Sequence, residues 1–122
     1  MRFVSSDGFE ILVGKSNVQN DELTIKTAAP DDIWLHTKDI PGSHVIIRAG
    51  GKLPPDITLG EAALLAAYYS KARASSLVPV DYAPRKNVRK PNGARPGMVI
   101  YEGHKTAYVT PDEAAVNALL YD

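Results

Sequence analysis

The chain has 122 residues, 44% of them apolar and 23% charged, with 14 Lys and Arg against 14 Asp and Glu. This predicts one domain, residues 1–122, standing alone or excised from a longer protein, and excludes a disordered tail, a collagen-like chain and a polybasic arm. With no cysteine, disulfide scaffolds, Cys-ligated zinc and a cysteine nucleophile are excluded, and a reducing compartment such as the cytoplasm fits; no apolar run approaches the ~20 residues of a membrane helix, and Met1–Val4 opens no signal-peptide pattern.

The first third reads as short strands. Phe9–Val13 is rich in β-formers and stops at Gly14, and Glu22–Thr27 alternates with Leu23 and Ile25 on one face. Between them, residues 14–21 are polar and turn-rich. They lack the Gly-x-x-x-x-Gly-Lys-Ser/Thr spacing, so nucleoside triphosphate binding is rejected there. Ile33–His36 and His44–Arg48 flank Pro41-Gly42, which suits a type II turn, and together they predict a hairpin. Thr58-Leu59-Gly60-Glu61 has the pattern of a capping box. The Ala-rich run Leu59–Ala72 that follows has almost no polar side, so it predicts a helix packed on most faces. Pro79 suggests that Val78–Tyr82 is an edge strand. Val88–Lys90 is a short strand, Gly97–Tyr101 and Lys105–Val109 predict a second hairpin, and Thr110 with Pro111 opens a closing helix that would bury Ala114, Ala115, Ala118 and Leu119. The fold class is α+β: antiparallel β-hairpins packed around one buried Ala-rich helix, with a short C-terminal helix.

The zero net charge hides an asymmetry. Residues 1–39 hold seven acids and four bases, whereas residues 84–97 hold Arg85, Lys86, Arg89, Lys90 and Arg95 and no acid. Proline and glycine make this basic stretch a ribbon or loop. Its field attracts phosphates by counterion release, or it is a solvated edge kept basic against strand-to-strand aggregation. A second constellation is Asp32-x-Trp34-x-His36, followed by Ser43-His44. On a strand, Asp32, Trp34 and His36 share one face, with Ile33 and Leu35 on the other. Trp34 is then either a stacking plane for a base, with His36 and His44 donating to phosphates or base edges, or core, with Asp32 tethering a turn. The spacing of His36, His44 and His104 does not favour a zinc site. Ser43 and His44, adjacent on a strand, point apart and do not favour a hydrolytic triad. No enzymatic activity and no cofactor are expected.

Taken together, these landmarks resemble the NFACT-R domain, the RNA-binding module at the C-terminal end of the bacterial RqcH proteins (often labelled fibronectin-binding proteins) and within their eukaryotic relative NEMF. The matching stretches are Asp7–Lys15 with Asn17 and Asn20-Asp21, Asp32–His36, Ile40–Val45, Glu61–Ala63 through Ala66–Ser70, Val80–Tyr82, Val88–Gly93 and Pro96-Gly97. Leu35 stands where relatives often carry Phe. The resemblance implies a cytoplasmic translation factor that binds the large ribosomal subunit carrying a stalled peptidyl-tRNA, recruits tRNA and supports untemplated tailing. The other domains of such proteins are not in this chain, so tailing is not expected from it alone.

Residues and resemblance converge on an RNA-binding surface built from Lys15, Asn17, Asn20, Asp32, Trp34, His36, Lys38, Ser43, His44, Arg85, Lys86, Arg89, Lys90 and Arg95. The expected partners are tRNA or the large ribosomal subunit, with no membrane, and the remaining domains of a longer parent if the chain is a fragment. The rival expectations are a protein-interaction or adhesion module, as the fibronectin label suggests, and a general nucleic-acid binder that includes DNA.

Overall fold

A computed structural model describes residues 1–121. Eight strands and three α-helices follow in the order β1 (Arg2–Val4), β2 (Glu10–Val13), α1 (Asn17–Asp21), β3 (Ile33–Thr37), β4 (Val45–Ile47), α2 (Asp56–Tyr68), β5 (Val78–Pro84), β6 (Val88–Arg89), β7 (Ile100–Tyr101), β8 (Lys105–Val109) and α3 (Glu113–Leu119). Six strands form an antiparallel sheet in the order β1-β2-β4-β3-β5-β8, and β6 and β7 pair as a separate two-stranded ribbon. The α+β class expected from the sequence is the one observed.

Alternation along the strands divides the sheet into two covered faces. On one, Ile11, Val13, Leu35, Val45, Ile47 and Val80 meet the alanines and Leu65 of α2. From Thr58 to Tyr68 no residue of α2 is exposed, as its lack of a polar side predicted. On the opposite face, Trp34, Ile46 and Val88 form a smaller core with Leu23, Ala28, Val99 and Tyr101 packed on it. The register explains the grouping: Trp34 lies opposite Ile46 on β4 and Ala83 on β5, so the three share a face, while His36 faces Asp81. The segment from β6 to β7, called the flap below, covers this second face.

Several local expectations are corrected. Residues 17–27 are helical, not a strand: α1 is capped by Ser16, whose Oγ accepts from Gln19 N at 3.2 Å, and it runs on into a π-helical turn over Glu22–Thr27. The buried positions here are Asn20 and Thr24, four apart and polar, so the helical period was invisible to a hydrophobic reading. Helix α2 starts two residues before Thr58. Thr58 Oγ1 instead donates to Asp7 Oδ2 (2.9 Å) and bonds Ser5 Oγ (2.8 Å), and Glu61 accepts from Ser6 N (2.8 Å), so the supposed capping box fastens the loop after β1 to the helix. The helix ends at Tyr68, where Arg73 Nε caps the carbonyl at 2.8 Å.

Strand β5 is interior. Pro79 is tolerated because β3 stops pairing at Thr37 opposite Val80, and only the Pro79 carbonyl is needed, accepting from Lys38 N at 2.9 Å. The expected hairpin of Gly97–Tyr101 with Lys105–Val109 does not form: β7 pairs with β6, and β8 pairs with β5. The closing helix is capped by Asp112, not Thr110, and it buries Val116 and Leu119 while Ala114 and Ala118 are exposed. The β3–β4 hairpin is present, but Gly42 has no positive φ, so the type II turn is absent. Gly42 is required for another reason: a Cβ there would meet Ser70 Cβ at 2.8 Å, where the two backbones bridge.

Candidate nucleic-acid interface

Beneath the flap lies a cavity of about 690 Å³. The β3–β4 hairpin supplies His36, Asp39, Pro41 and His44 to its wall, α1 supplies Asn17 and Val18, and the flap supplies Arg95, Met98 and Tyr101. Trp34 forms part of its floor but has no exposed surface. Its ring packs 4.5 Å from Tyr101, centroid to centroid, and 6.0 Å from His36, nearly parallel at 9°. The expectation of Trp34 as an open stacking plane is therefore corrected: the rings that border the cavity with partial exposure are His36 and Tyr101.

His44 is corrected in the same way. It is buried, its Nδ1 accepts from Thr24 Oγ1 (2.8 Å) and Trp34 Nε1 (3.2 Å), and its Nε2 donates to Gly97 O (3.1 Å). This pattern requires the neutral Nε2–H tautomer. Burial, reinforced by the neighbouring His36, depresses its pKa from 6.5 to about 4, and His36 is also lowered, first by burial. The imidazole of His44 is thus a buried strut between the sheet, the π-turn and the flap rather than a donor to phosphate.

A pH dependence follows, with a defined sign. The unfolded chain binds a proton at His44 near pH 6.5 and the folded chain only near 4, so this contribution is complete above about 6.5 and is lost as pH falls toward 4. The shift corresponds to roughly 3 kcal/mol. Urea unfolding from pH 7 to 4 should show this decline, and an NMR titration should find the His44 ring neutral until about pH 4. A His44 ring that protonates near 6.5 in the folded domain would contradict it.

The flap is held by a second strut. Asp21 Oδ1 accepts from Gly97 N at 2.8 Å, Lys90 Nζ lies 3.0 Å from Asp21 Oδ2, and Lys90 also donates to the carbonyls of Arg95 (2.7 Å) and Met98 (3.3 Å). Burial works to raise the Asp21 pKa, but the Gly97 N–H and the Lys90 ammonium outweigh it and hold the carboxyl below its ordinary value. A third tie is Asp81, fully buried, which accepts from Tyr101 Oη at 2.6 Å and Thr106 Oγ1 at 2.7 Å. It also pairs with Lys38 at 3.2 Å. Burial and Asp81 together push the Tyr101 phenol far above its usual range.

These ties sort the expected site residues. Arg85 is spent inside the fold, donating to the carbonyls of Thr24, Ile25 and Val88, and Lys90 is the strut just described. Asp32 tethers turns, with Oδ1 accepting from Ala49 N and Oδ2 from Ala29 N, both at 2.9 Å, and with Arg48 at 3.0 Å. Asn20 is buried, its Oδ1 accepting from His44 N at 3.0 Å. Ser43 N donates to Tyr69 O at 3.1 Å on the hairpin loop. Lys86 lies 3.7 Å from Asp31 in an exposed pair. Arg89 and Arg95 are exposed and make no ion pair among the described residues, and Lys15 is likewise exposed and unpaired. Of the five bases in residues 84–97, Arg89 and Arg95 are the ones exposed without an ion pair among the described residues, and Lys86 is exposed beside Asp31. Thr24, Asp39, Met98 and Tyr101 were not singled out in the sequence, and Asp21 only through the resemblance; the Asp21–Lys90, Thr24–His44 and Tyr101–Asp81 contacts and the lining of the cavity reveal their part.

The fold is thus an antiparallel α+β domain whose flap carries bases and no acid and lies over an aromatic-lined cavity. The family model described as NFACT protein RNA binding domain matches residues 1–104, and the chain belongs to that family. It is 57% identical over 114 residues, 93% of this chain, to a Bacillus subtilis protein named Rqc2 homolog RqcH, and 50% identical over 119 residues, 97% of the chain, to its namesake in Streptococcus suis. The chain spans about a fifth of the length of these relatives (20% and 21%). The solved C-terminal part of the fibronectin/fibrinogen-binding protein of Streptococcus suis superposes with a TM-score of 0.94 at 50% identity, over 98% of this chain and 48% of that one.

Proposed function

We propose that this domain binds RNA, tRNA or the RNA of the large ribosomal subunit, within a factor acting on stalled large subunits, and that it binds without catalysing a reaction. The observation that carries the reading is the pair Arg89 and Arg95, exposed and without an ion pair among the described residues, in a basic stretch where Arg85 and Lys90 are consumed within the fold and Lys86 lies beside Asp31 at the surface. Arginines without carboxylate partners attract phosphates and supply affinity with little sequence information. The family relationship supports RNA as the polyanion. Binding fits better than catalysis because both ring nitrogens of His44 are engaged within the fold.

The test is competition at fixed ionic strength. A labelled tRNA bound by this chain should be displaced by unlabelled tRNA at lower concentration than by duplex DNA or single-stranded DNA, and association with immobilised fibronectin should not exceed background after nuclease treatment. Stronger competition by DNA would replace RNA with DNA, and nuclease-resistant fibronectin binding would favour adhesion.

A further inference from the structure

The cavity under the flap has a chemistry that phosphate contacts alone leave unused. Two apolar side chains on its wall stand open to solvent, Val18 at 59% and Met98 at 54% exposure. The floor is aromatic, with Tyr101 packed at a tilt against Trp34 and His36 nearly parallel to Trp34. The Asn17 side-chain amide, also on the wall, makes no hydrogen bond among the described residues, although its Oδ1 would lie 2.9 Å from a Cβ at Gly97. An amide offers a donor and an acceptor side by side, the pattern that pairs with the edge of a base.

The charges are arranged to admit a neutral plane and keep an anion outside. Arg95 is exposed and makes no ion pair among the described residues, and Asp39 places a carboxylate on the same wall. Neither His36 nor His44 brings a cation, since burial lowers both below the ordinary imidazole value. A phosphate within the cavity would face Asp39 with no compensating cation from the floor, whereas a phosphate at Arg95 would be paired.

We propose that the cavity takes one unpaired nucleobase of the bound RNA, with its face against Met98, Val18 and the His36–Tyr101 floor, its edge on the Asn17 amide and its own phosphate at Arg95. This rests on the RNA-binding reading above and narrows it: the domain grips single-stranded or looped RNA in preference to continuous duplex. An unstacked base held between apolar and aromatic groups and hydrogen-bonded at its edge is the general mode by which proteins recognise looped RNA. A single amide suits the edges of more than one base, so tolerance of base identity is expected.

The test uses this chain and an RNA strand carrying 2-aminopurine at a central position, free or annealed into a blunt duplex. The free strand should bind about tenfold more tightly than the duplex, the difference one base–aromatic stack supplies, and the 2-aminopurine fluorescence should change on binding. The uncharged double substitution Met98→Ser, Val18→Ser, at two exposed positions, should abolish that change and bring the affinity ratio of free strand to duplex from about ten down towards one. Asn17→Ala should weaken the free strand alone. Equal affinity of the parent chain for the two forms, or a fluorescence change that survives the double substitution, overturns the pocket while leaving RNA binding intact. Failure to bind either form overturns the RNA-binding reading itself, and an identical response from the deoxy strand overturns RNA as the occupant.

Discussion

Trp34→Ala is expected to lose about 3–5 kcal/mol of stability, the cost of truncating a fully buried large aromatic, and with it the docking of the flap. Trp34 lies at the centre of the second face of the sheet, with no exposed surface, Ile46 and Val88 beside it and the Tyr101 ring packed against it at a tilt of 51°. Removing it opens a cavity and also takes one of the two donors from His44 Nδ1. Trp34→Phe separates the two effects: it keeps most of the buried area, loses the indole N–H and leaves Thr24 to serve Nδ1, so it should cost far less. Chemical denaturation of both variants checks this. A Trp34→Ala domain as stable as the parent would show that the second face is not a core.

The second large effect is Asp21→Ala, which removes the acceptor of Gly97 N and the partner of the Lys90 ammonium. A hydrogen bond to a charged group contributes about 1.5–3 kcal/mol. The pair is 26% and 22% exposed, so water screens it and the lower end of that range is expected. The consequence for binding is larger, because Lys90 holds the carbonyls of Arg95 and Met98 and thereby sets where Arg95 and the cavity wall stand. RNA affinity should fall and flap amides should exchange faster with solvent. Lys86→Ala is the control: it breaks a 3.7 Å pair that is 60% and 65% exposed, of a kind that contributes little, and stability should not change. If Asp21→Ala and Lys86→Ala behave alike, the flap is not held by the Asp21–Lys90 strut.

The sequence revealed the elements whose pattern is apolar. Alanine saturation marked α2 as a helix surrounded on its sides, and the alternation around Trp34 placed Trp34 and His36 on one face and Leu35 on the other, as the register confirms. It misled where inward-facing residues are polar. Asn20 and Thr24 look like solvated positions until their partners, His44 and its backbone, are known. It also misled where adjacency suggested pairing: Gly103 has the positive φ of a turn residue (63°), yet the strands on either side of it pair elsewhere.

For the site, the sequence identified the kind of residue but not its availability. Nothing local distinguishes Lys90, bound to an aspartate 69 positions away, from Arg89 beside it, which makes no ion pair among the described residues. Likewise Arg85 reads as a surface cation until the carbonyls of Thr24 and Ile25 are found against it, some 60 residues distant in the chain. Long-range partners decide which charges remain for a ligand, and a single sequence does not display them.

The most direct measurement is the dependence of tRNA affinity on salt for the parent chain and for the Arg89→Ala, Arg95→Ala double variant, with folding confirmed in each. Each phosphate contact removed should lower the slope of log affinity against log salt by about one, so the double variant should be shallower by about two and bind more weakly at low salt. An unchanged slope in a folded double variant would contradict the claim that these two arginines carry the phosphate contacts.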